Sequence, residues 1–237
     1  GKLISECRRM GIPVLPPDIG HSQIEFAIEP YRAERGEEVR AIRFGLGAIK
    51  NVGEGAAEQF ACACRTDGPF GDLEDLGNRV DLRQANKRVL ECLIRVGALD
   101  SFGSRAQLLA VVDRLVSFST DVFQRRESGQ MSMFDLDVAL PLGGAASGFY
   151  PLPALPELSR KERLNWEKEL AGAYLSSHPL QQAAADLASV VSHYSGELSA
   201  EMHEQKVTLG GIIVRRNEIL TRKGDPMCFA TLEDLQG

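Results

Sequence analysis

The segment IKNVGEGAAEQF, residues 49–60, constrains the fold more than any other part of the chain. An apolar run ends here, two glycines follow, and Ala57 and Phe60 begin the apolar spacing of a helix. Gly53 and Gly55 carry no Cβ, so a ligand can approach their backbone closely. The first amide groups of a helix lack acceptors within it and can bind a phosphate oxygen. The segment therefore predicts a contact to a nucleic-acid backbone that is independent of base sequence.

The same residues look like a helix-hairpin-helix motif, in which Val52 is the apolar hairpin residue that packs inward. Asn51 stands where the motif usually has its first glycine, and asparagine tolerates the left-handed conformation better than most residues. The alternative is a plain helical turn that ends in a glycine. Under the first interpretation, the predicted phosphate contacts of this first hairpin are Lys50, Asn51, Gly53 and Gly55.

A second, weaker copy of the pattern follows over residues 90–106. A strong helix with the apolar stripe Val89, Leu90, Leu93 and Ile94 reaches a bend, and Ser104 then caps a further helix. Two hairpins in tandem would bridge both strands of a duplex across its minor groove. The residues of this region predicted to contact DNA are Lys87, Arg88, Gly97, Gly103 and Arg105. For each basic residue, a solvated helix surface is the alternative.

The sequence Gln130-Met131-Ser132-Met133-Phe134 lies in a polar stretch without helical periodicity. Two large apolar residues side by side in such a stretch require a reason. The pattern resembles the peptides that bind bacterial sliding clamps, in which a glutamine precedes an apolar pair. Met133 and Phe134 would fill an apolar cleft of the clamp as the energetic centre of the contact. The alternative is that both side chains fold back onto the helical region.

The overall charge and the cysteines limit the remaining classes of function. The net charge is −6, which by itself argues against a nucleic-acid-binding protein, but residues 79–105 contain six basic and three acidic side chains. A local basic surface can still bind phosphate within an acidic chain. Five scattered cysteines predict reduced thiols in a cytosolic protein, and Cys62 and Cys64 lack the spacing of a zinc site. No apolar run is long enough to predict a membrane span.

The periodicity also predicts the order of elements along the chain. Two short strands at residues 26–29 and 39–44 form a hairpin, a helical block covers 46–118, and periodicity is lost over 119–156. Ser159 and Glu162 form a capping box at the start of another helix. Residues 206–237 contain two predicted strands, which are too few to close a sheet. We expect the chain to be truncated at both ends.

These pieces occur in the order found in the alpha subunit of bacterial DNA polymerase III, a C-family replicative polymerase. The stretches that carry the resemblance are 11–19, 42–60, 86–103, 129–136, 166–180 and 207–237. The resemblance implies a mainly α fold, in which a tandem helix-hairpin-helix clamp-binding domain follows a short β-hairpin and precedes an incomplete OB-fold. The implied domains are 1–30, the end of a fingers domain; 31–118, the tandem hairpins; 119–158, a linker with the clamp peptide; 159–200, a helical connector; and 206–237, the start of the OB-fold.

The resemblance also implies a function for the whole protein, which is template-directed DNA synthesis with Mg²⁺. The implied partners are duplex and primed DNA, the sliding clamp and other replicase subunits in the cytoplasm. We expect no catalytic residue and no cofactor in this chain, because its carboxylates, such as Glu167 and Glu169, are interpreted as surface charges. The alternatives are an error-prone paralogue of the polymerase, a repair or nuclease scaffold that uses helix-hairpin-helix units, and a protein-interaction scaffold in which the hairpins only pack.

Overall fold

The computed structural model describes residues 2–33, 36–128, 149, 151–177, 179–181, 187 and 189–234. The helices of this part of the chain are α1 Lys2–Arg9, α2 Glu54–Asp67, α3 Leu73–Arg79, α4 Leu82–Ala85, α5 Lys87–Val96, α6 Arg105–Ser128 and α7 Arg160–Ala171. The strands are β1 Val14–Leu15, β2 Ala27–Arg32, β3 Glu38–Arg43, β4 Ile212–Leu220 and β5 Pro226–Glu233. Short 3-10 turns lie at Leu46–Ala48, Pro179–Gln181, Ser195–Glu197 and Ala200–Met202.

The first sheet has three strands in the order β1-β3-β2. Strands β2 and β3 are antiparallel, as the sequence predicted, and β1 adds in parallel to β3. The aromatic rings of Phe26 and Phe44 meet edge to face with centroids 4.8 Å apart. Strand β3 runs directly into the 3-10 turn at Leu46–Ala48, so the sheet fixes the point from which the first hairpin starts.

Helices α2 to α6 surround the main hydrophobic core. The predicted stripe of α5 is confirmed, because Val89, Leu90, Leu93 and Ile94 are all buried. Burial of each large aliphatic side chain contributes about 1.5–3 kcal/mol. Gly77 of α3 allows close packing on α6, since a Cβ there would lie 2.7 Å from the Phe118 ring.

Helices α3 and α4 are short and begin at aspartates that act as side-chain caps. The Asp72 carboxylate accepts a hydrogen bond from the Asp75 amide at 2.8 Å, and Asp81 accepts from the Arg83 amide at 3.1 Å. The Arg83 guanidinium also donates to Asp81, which lowers the pKa of that carboxyl. Neither helix can be predicted from apolar spacing, because neither is long enough to show a full apolar period.

Helix α6 extends further than predicted. The loss of apolar periodicity at residue 119 was interpreted as the start of a linker, but the helix continues to Ser128. The reason is a polar contact: the buried Ser119 hydroxyl donates to the Val80 carbonyl at 2.8 Å and accepts from the Leu82 amide at 3.1 Å. A hydrogen-bonded serine thus holds the helix against the connection between α3 and α4.

The C-terminal part contains α7 and the β4–β5 hairpin. The predicted capping box at the start of α7 is confirmed. The Ser159 hydroxyl accepts a hydrogen bond from the Glu162 amide, and the Glu162 carboxylate accepts one from the Ser159 amide. Strands β4 and β5 are antiparallel, as predicted, and several of their apolar side chains are exposed. Lys168 of α7 forms an ion pair with Glu233 of β5 at 2.6 Å. Within the described residues, no helix is long and apolar enough to cross a membrane.

Candidate nucleic-acid interface

The first hairpin has the conformation that the sequence predicted. It connects the 3-10 turn at Leu46–Ala48 to α2, which begins at Glu54. Asn51 adopts a positive φ of 68°, and Val52 is buried in the main core. The Val52 amide donates to the Ile49 carbonyl at 3.0 Å, which closes the bend. Val52 therefore holds the hairpin from the inside, and the backbone on its other side faces solvent.

The start of α2 is open to a ligand. Gly53 precedes the helix and has no side chain that could cap it, and its carbonyl accepts from the Ala57 amide at 3.0 Å. The amide groups of residues 54–56 therefore have no acceptor within the helix. A Cβ built on Gly53 or Gly55 meets no atom within 4 Å. An anion can reach these amides, and the helix dipole favours its negative charge. The exposed carboxylate of Glu54 in the first turn opposes the binding of an anion.

Contacts to two other helices hold this hairpin in place. The Lys50 amide donates a hydrogen bond to the Leu170 carbonyl at the C-terminal end of α7, at 2.8 Å. The Asn51 side-chain amide lies 3.8 Å from the sulfur of Cys92 in α5. The side chain of Lys50 itself is exposed. The hairpin consequently contacts both α5 and α7, and its orientation depends on both helices.

A cavity of about 230 Å³ adjoins the hairpin. Its lining residues are Asn51, Arg88, Cys92, Arg95, Trp166, Glu169 and Leu170. Arg88 is exposed, and no ion pair of its guanidinium occurs among the described residues. Arg95 forms an ion pair with Glu91 at 3.0 Å and lies over the Trp166 ring. Sequence reasoning did not select Arg95 or Trp166, although Arg88 and Arg95 are seven residues apart and so share one face of α5.

Lys87 is less suited to phosphate binding than Arg88. Its ammonium group forms an ion pair with Asp113 of α6 at 2.5 Å. This hydrogen bond raises the pKa of Lys87 and satisfies its charge within the protein. The predicted contact residues that are exposed at or beside the first hairpin are therefore Lys50, Asn51, Gly53, Gly55 and Arg88.

The second bend, in contrast to the first, is covered by protein. Gly97 ends α5 in the left-handed conformation, with φ of +91°, and a Cβ there would lie 2.4 Å from Nη2 of Arg105. A Cβ on Gly103 would lie 2.4 Å from Leu152. At the start of α6, the side chain of Gln107 accepts a hydrogen bond from the Ser104 amide at 3.1 Å. Side chains therefore pack more closely against the glycines of the second bend than against those of the first hairpin.

Arg105 lies inside the protein rather than on a basic surface. Only 4% of the residue is exposed, and its guanidinium bonds Asp100, the Arg95 carbonyl and Glu167. Glu167 is completely buried, so its interpretation as a surface charge was wrong. The expected tandem grip through Gly97, Gly103 and Arg105 is thus replaced by an internal polar network at this bend.

The clamp-peptide residues 130–134 lie outside the described part of the chain. Among the residues that are described, no group of three or more histidine, cysteine, aspartate or glutamate side chains is placed to hold a metal ion.

Comparison with known proteins finds a motif match and a set of longer relatives. A family model described as a helix-hairpin-helix motif matches residues 11–108. The chain is 34% identical to the DNA polymerase III subunit alpha of Pseudomonas aeruginosa, 35% to that of Vibrio cholerae and 36% to that of Thermus aquaticus. Each match covers 99% of this chain, which spans only about a fifth of the relatives' length, 20%, 19% and 18% respectively. Over almost its whole length, the chain is thus similar to one segment of bacterial DNA polymerase III alpha subunits.

Proposed function

We propose that this chain holds duplex DNA for a replicative DNA polymerase and does so through the first hairpin. The observation that carries the proposal is the open start of α2, where glycines flank amide groups that have no acceptor within the helix. The relationship to polymerase subunits over 99% of the chain supports DNA as the anion. Contacts to phosphate rather than to bases would serve a polymerase that must move along any sequence.

The proposed contact has a backbone part and a charged part. A phosphate oxygen accepts hydrogen bonds from the amides at Gly53, Glu54 and Gly55, and the exposed ammonium group of Lys50 neutralises a neighbouring phosphate. Arg88 reaches the same strand from the edge of the cavity next to Asn51. Because a guanidinium presents a planar set of donors, it can bond two phosphate oxygens at once.

The proposal leaves out Gly97, Gly103 and Arg105. Side-chain atoms pack against both glycines, the Arg105 guanidinium is bonded within the protein, and the Asp100 carboxylate beside it is negative. In this proposal the second bend supports the first hairpin, so the chain contacts one stretch of backbone strongly instead of bridging two strands equally.

Two further assignments belong to the proposal. Residues 130–134 bind the sliding clamp through Met133 and Phe134, and β4 with β5 form the beginning of an OB-fold, whose exposed apolar side chains would be covered by further strands. The polymerisation reaction and its Mg²⁺ are assigned to parts of the polymerase outside this chain.

Substitution of the charged residues tests the DNA contact. Binding of a duplex is measured against salt concentration for the full chain and for Lys50→Ala and Arg88→Ala. Each variant is expected to weaken binding and to reduce the slope of log K against log salt by about 1, because one phosphate contact is lost. Lys161→Ala, at the other end of α7 from Leu170, is the matched control and should bind like the parent. A parent chain without affinity for duplex at low salt would identify a protein-interaction scaffold instead.

The clamp contact has a separate test. The double substitution Met133→Ala and Phe134→Ala should abolish binding to the sliding clamp and leave duplex affinity unchanged. In the clamp-binding peptides that this segment resembles, the two positions after the glutamine are variable. The pair Met131→Ala and Ser132→Ala is therefore the control and should retain clamp binding. Equal clamp affinity of the first variant and the parent would refute this assignment.

A further inference from the structure

A buried carboxylate in α7, that of Glu167, bonds both the distant Arg105 and the segment that directly follows its own helix. One oxygen of Glu167 accepts a hydrogen bond from Arg105 at 3.1 Å. The other oxygen accepts from the amide groups of Leu175 at 2.9 Å and Ser176 at 3.0 Å, and from the Ser176 hydroxyl at 3.1 Å. Each oxygen of the carboxylate therefore has a defined partner, and removal of either partner would leave a buried charge partly unsatisfied.

The partner of Glu167 extends this connection to α5. Arg105 donates through Nη1 to the Arg95 carbonyl at 2.9 Å, near the C-terminal end of α5. Carbonyl groups in the last turn of a helix lack donor partners within it, and here a buried guanidinium supplies the missing donor. The path Glu167–Arg105–Arg95 is thus a polar bridge between α7 and α5.

The first hairpin rests on these same two helices. Its Lys50 amide bonds the Leu170 carbonyl, which is three residues beyond Glu167 on α7, at 2.8 Å. Its Asn51 side chain contacts Cys92, which is three residues before Arg95 on α5. A change in the relative position of α5 and α7 would therefore pull on the hairpin at both contacts.

We propose that Glu167 is a positioning residue for DNA binding, which sets the orientation of the first hairpin by fixing α7 against α5 through Arg105. This role rests on the proposed function of that hairpin. An ion pair buried to this extent gives little net stability compared with apolar residues of the same volume. What it supplies is orientation, because Arg105 connects the carboxylate, and with it α7, to the end of α5, while Leu175 and Ser176 fix the position of the carboxylate itself.

Glu167→Gln tests the role, because it preserves shape and removes the charge that faces Arg105. We expect duplex affinity to fall about tenfold at a temperature where the variant is fully folded, while the salt slope stays that of the parent, since Lys50 and Arg88 keep their charges. We also expect faster hydrogen exchange of the Lys50 amide, because its acceptor on α7 is no longer held in place.

Two variants separate positioning from stability and charge. Leu76→Ala removes a buried side chain of α3 and lowers stability without a change in α7, so its duplex affinity below the unfolding transition should equal that of the parent. Glu204→Gln changes the net charge by the same amount at an exposed site and should also bind normally. Ser176→Ala, which removes only the hydroxyl donor to Glu167, should weaken binding two- to threefold and serves if Glu167→Gln does not fold.

The outcomes distinguish this inference from the proposed function. If Lys50→Ala weakens binding and lowers the salt slope, but Glu167→Gln and Ser176→Ala bind like the parent with unchanged Lys50 exchange, then the positioning role is wrong and the DNA contact stands. If Leu76→Ala weakens binding as much as Glu167→Gln, the effect is one of stability, and the inference is overturned. If the parent itself does not bind duplex, the proposed function fails first.

Discussion

At the scale of single residues, the two bends of the helical region differ in what surrounds their glycines. Gly53 and Gly55 have open space where a Cβ would project, whereas the equivalent position on Gly97 is filled by Arg105 and Asp100. Both kinds of glycine look alike in the sequence. The sequence predicted the positive φ of Asn51 and the burial of Val52 because these depend on local chain geometry.

A pair of alanine substitutions measures this difference. Gly97→Ala and Gly172→Ala both place a Cβ on left-handed backbone, with φ of +91° and +71°, but only the first meets atoms within 4 Å. Each should lose about 1–2 kcal/mol from the unfavourable backbone conformation. Gly97→Ala should lose about 1–3 kcal/mol more, because Arg105 must move away from Asp100. Unfolding in denaturant gives both values, and equal losses would mean that the second bend is open.

At the scale of the elements, the way in which each helix begins decides whether its first amide groups can bind an anion. Helix α2 begins at a glycine without a side-chain cap. Helix α6 begins after Ser104, whose amide donates a hydrogen bond to the side chain of Gln107. Helix propensity and apolar spacing predicted that both helices exist, and the stripe of α5 was correct to the residue. They did not predict which helix start is free, because that depends on contacts such as Arg105 with Glu167, 62 residues apart.

The start of α4 gives a prediction of pH dependence. The hydrogen bond from Arg83 lowers the pKa of Asp81 in the folded protein, so the carboxylate adds stability above the unfolded-state pKa of about 3.9, and this contribution is lost as the pH falls through the lower folded-state value. Asp81→Asn retains a side chain that can cap the helix but cannot ionise. The free energy of unfolding of the variant should be lower than that of the parent at pH 7, and the two should converge below about pH 4. A difference that persists unchanged to pH 2.5 would exclude this ion pair as its source.

At the scale of the whole molecule, α7 connects the parts. Its Leu170 carbonyl holds the first hairpin, its Glu167 carboxylate binds Arg105, and its Lys168 pairs with Glu233 of the β4–β5 hairpin. The sequence predicted α7 and its capping box but assigned it only to a connector. Its role as a support could not be predicted, because a buried glutamate and an exposed one have the same helical spacing until their partners are known.

The net charge of −6 is also a property of the whole molecule, and it includes many basic side chains whose charge is neutralised within the protein. Many basic side chains are paired with carboxylates, as Lys87 is with Asp113 and Arg83 with Asp81. Lys50 and Arg88 therefore stand out beside the open start of α2. The proposed DNA contact thus depends less on overall charge than on a few free donors at one site.

The central claim is that backbone amides at the first hairpin bind phosphate, and proline tests it most directly because proline has no amide hydrogen. Proline is tolerated in the first turn of a helix, and Gly53 already has a φ of −76°. Duplex binding is measured for Gly53→Pro against Gly53→Ala and for Glu54→Pro against Glu54→Ala. At least one proline variant should bind about 10-fold or more weakly than its alanine partner, as expected for loss of a hydrogen bond to a charged group, with equal stability. Equal affinity within both pairs would contradict the claim.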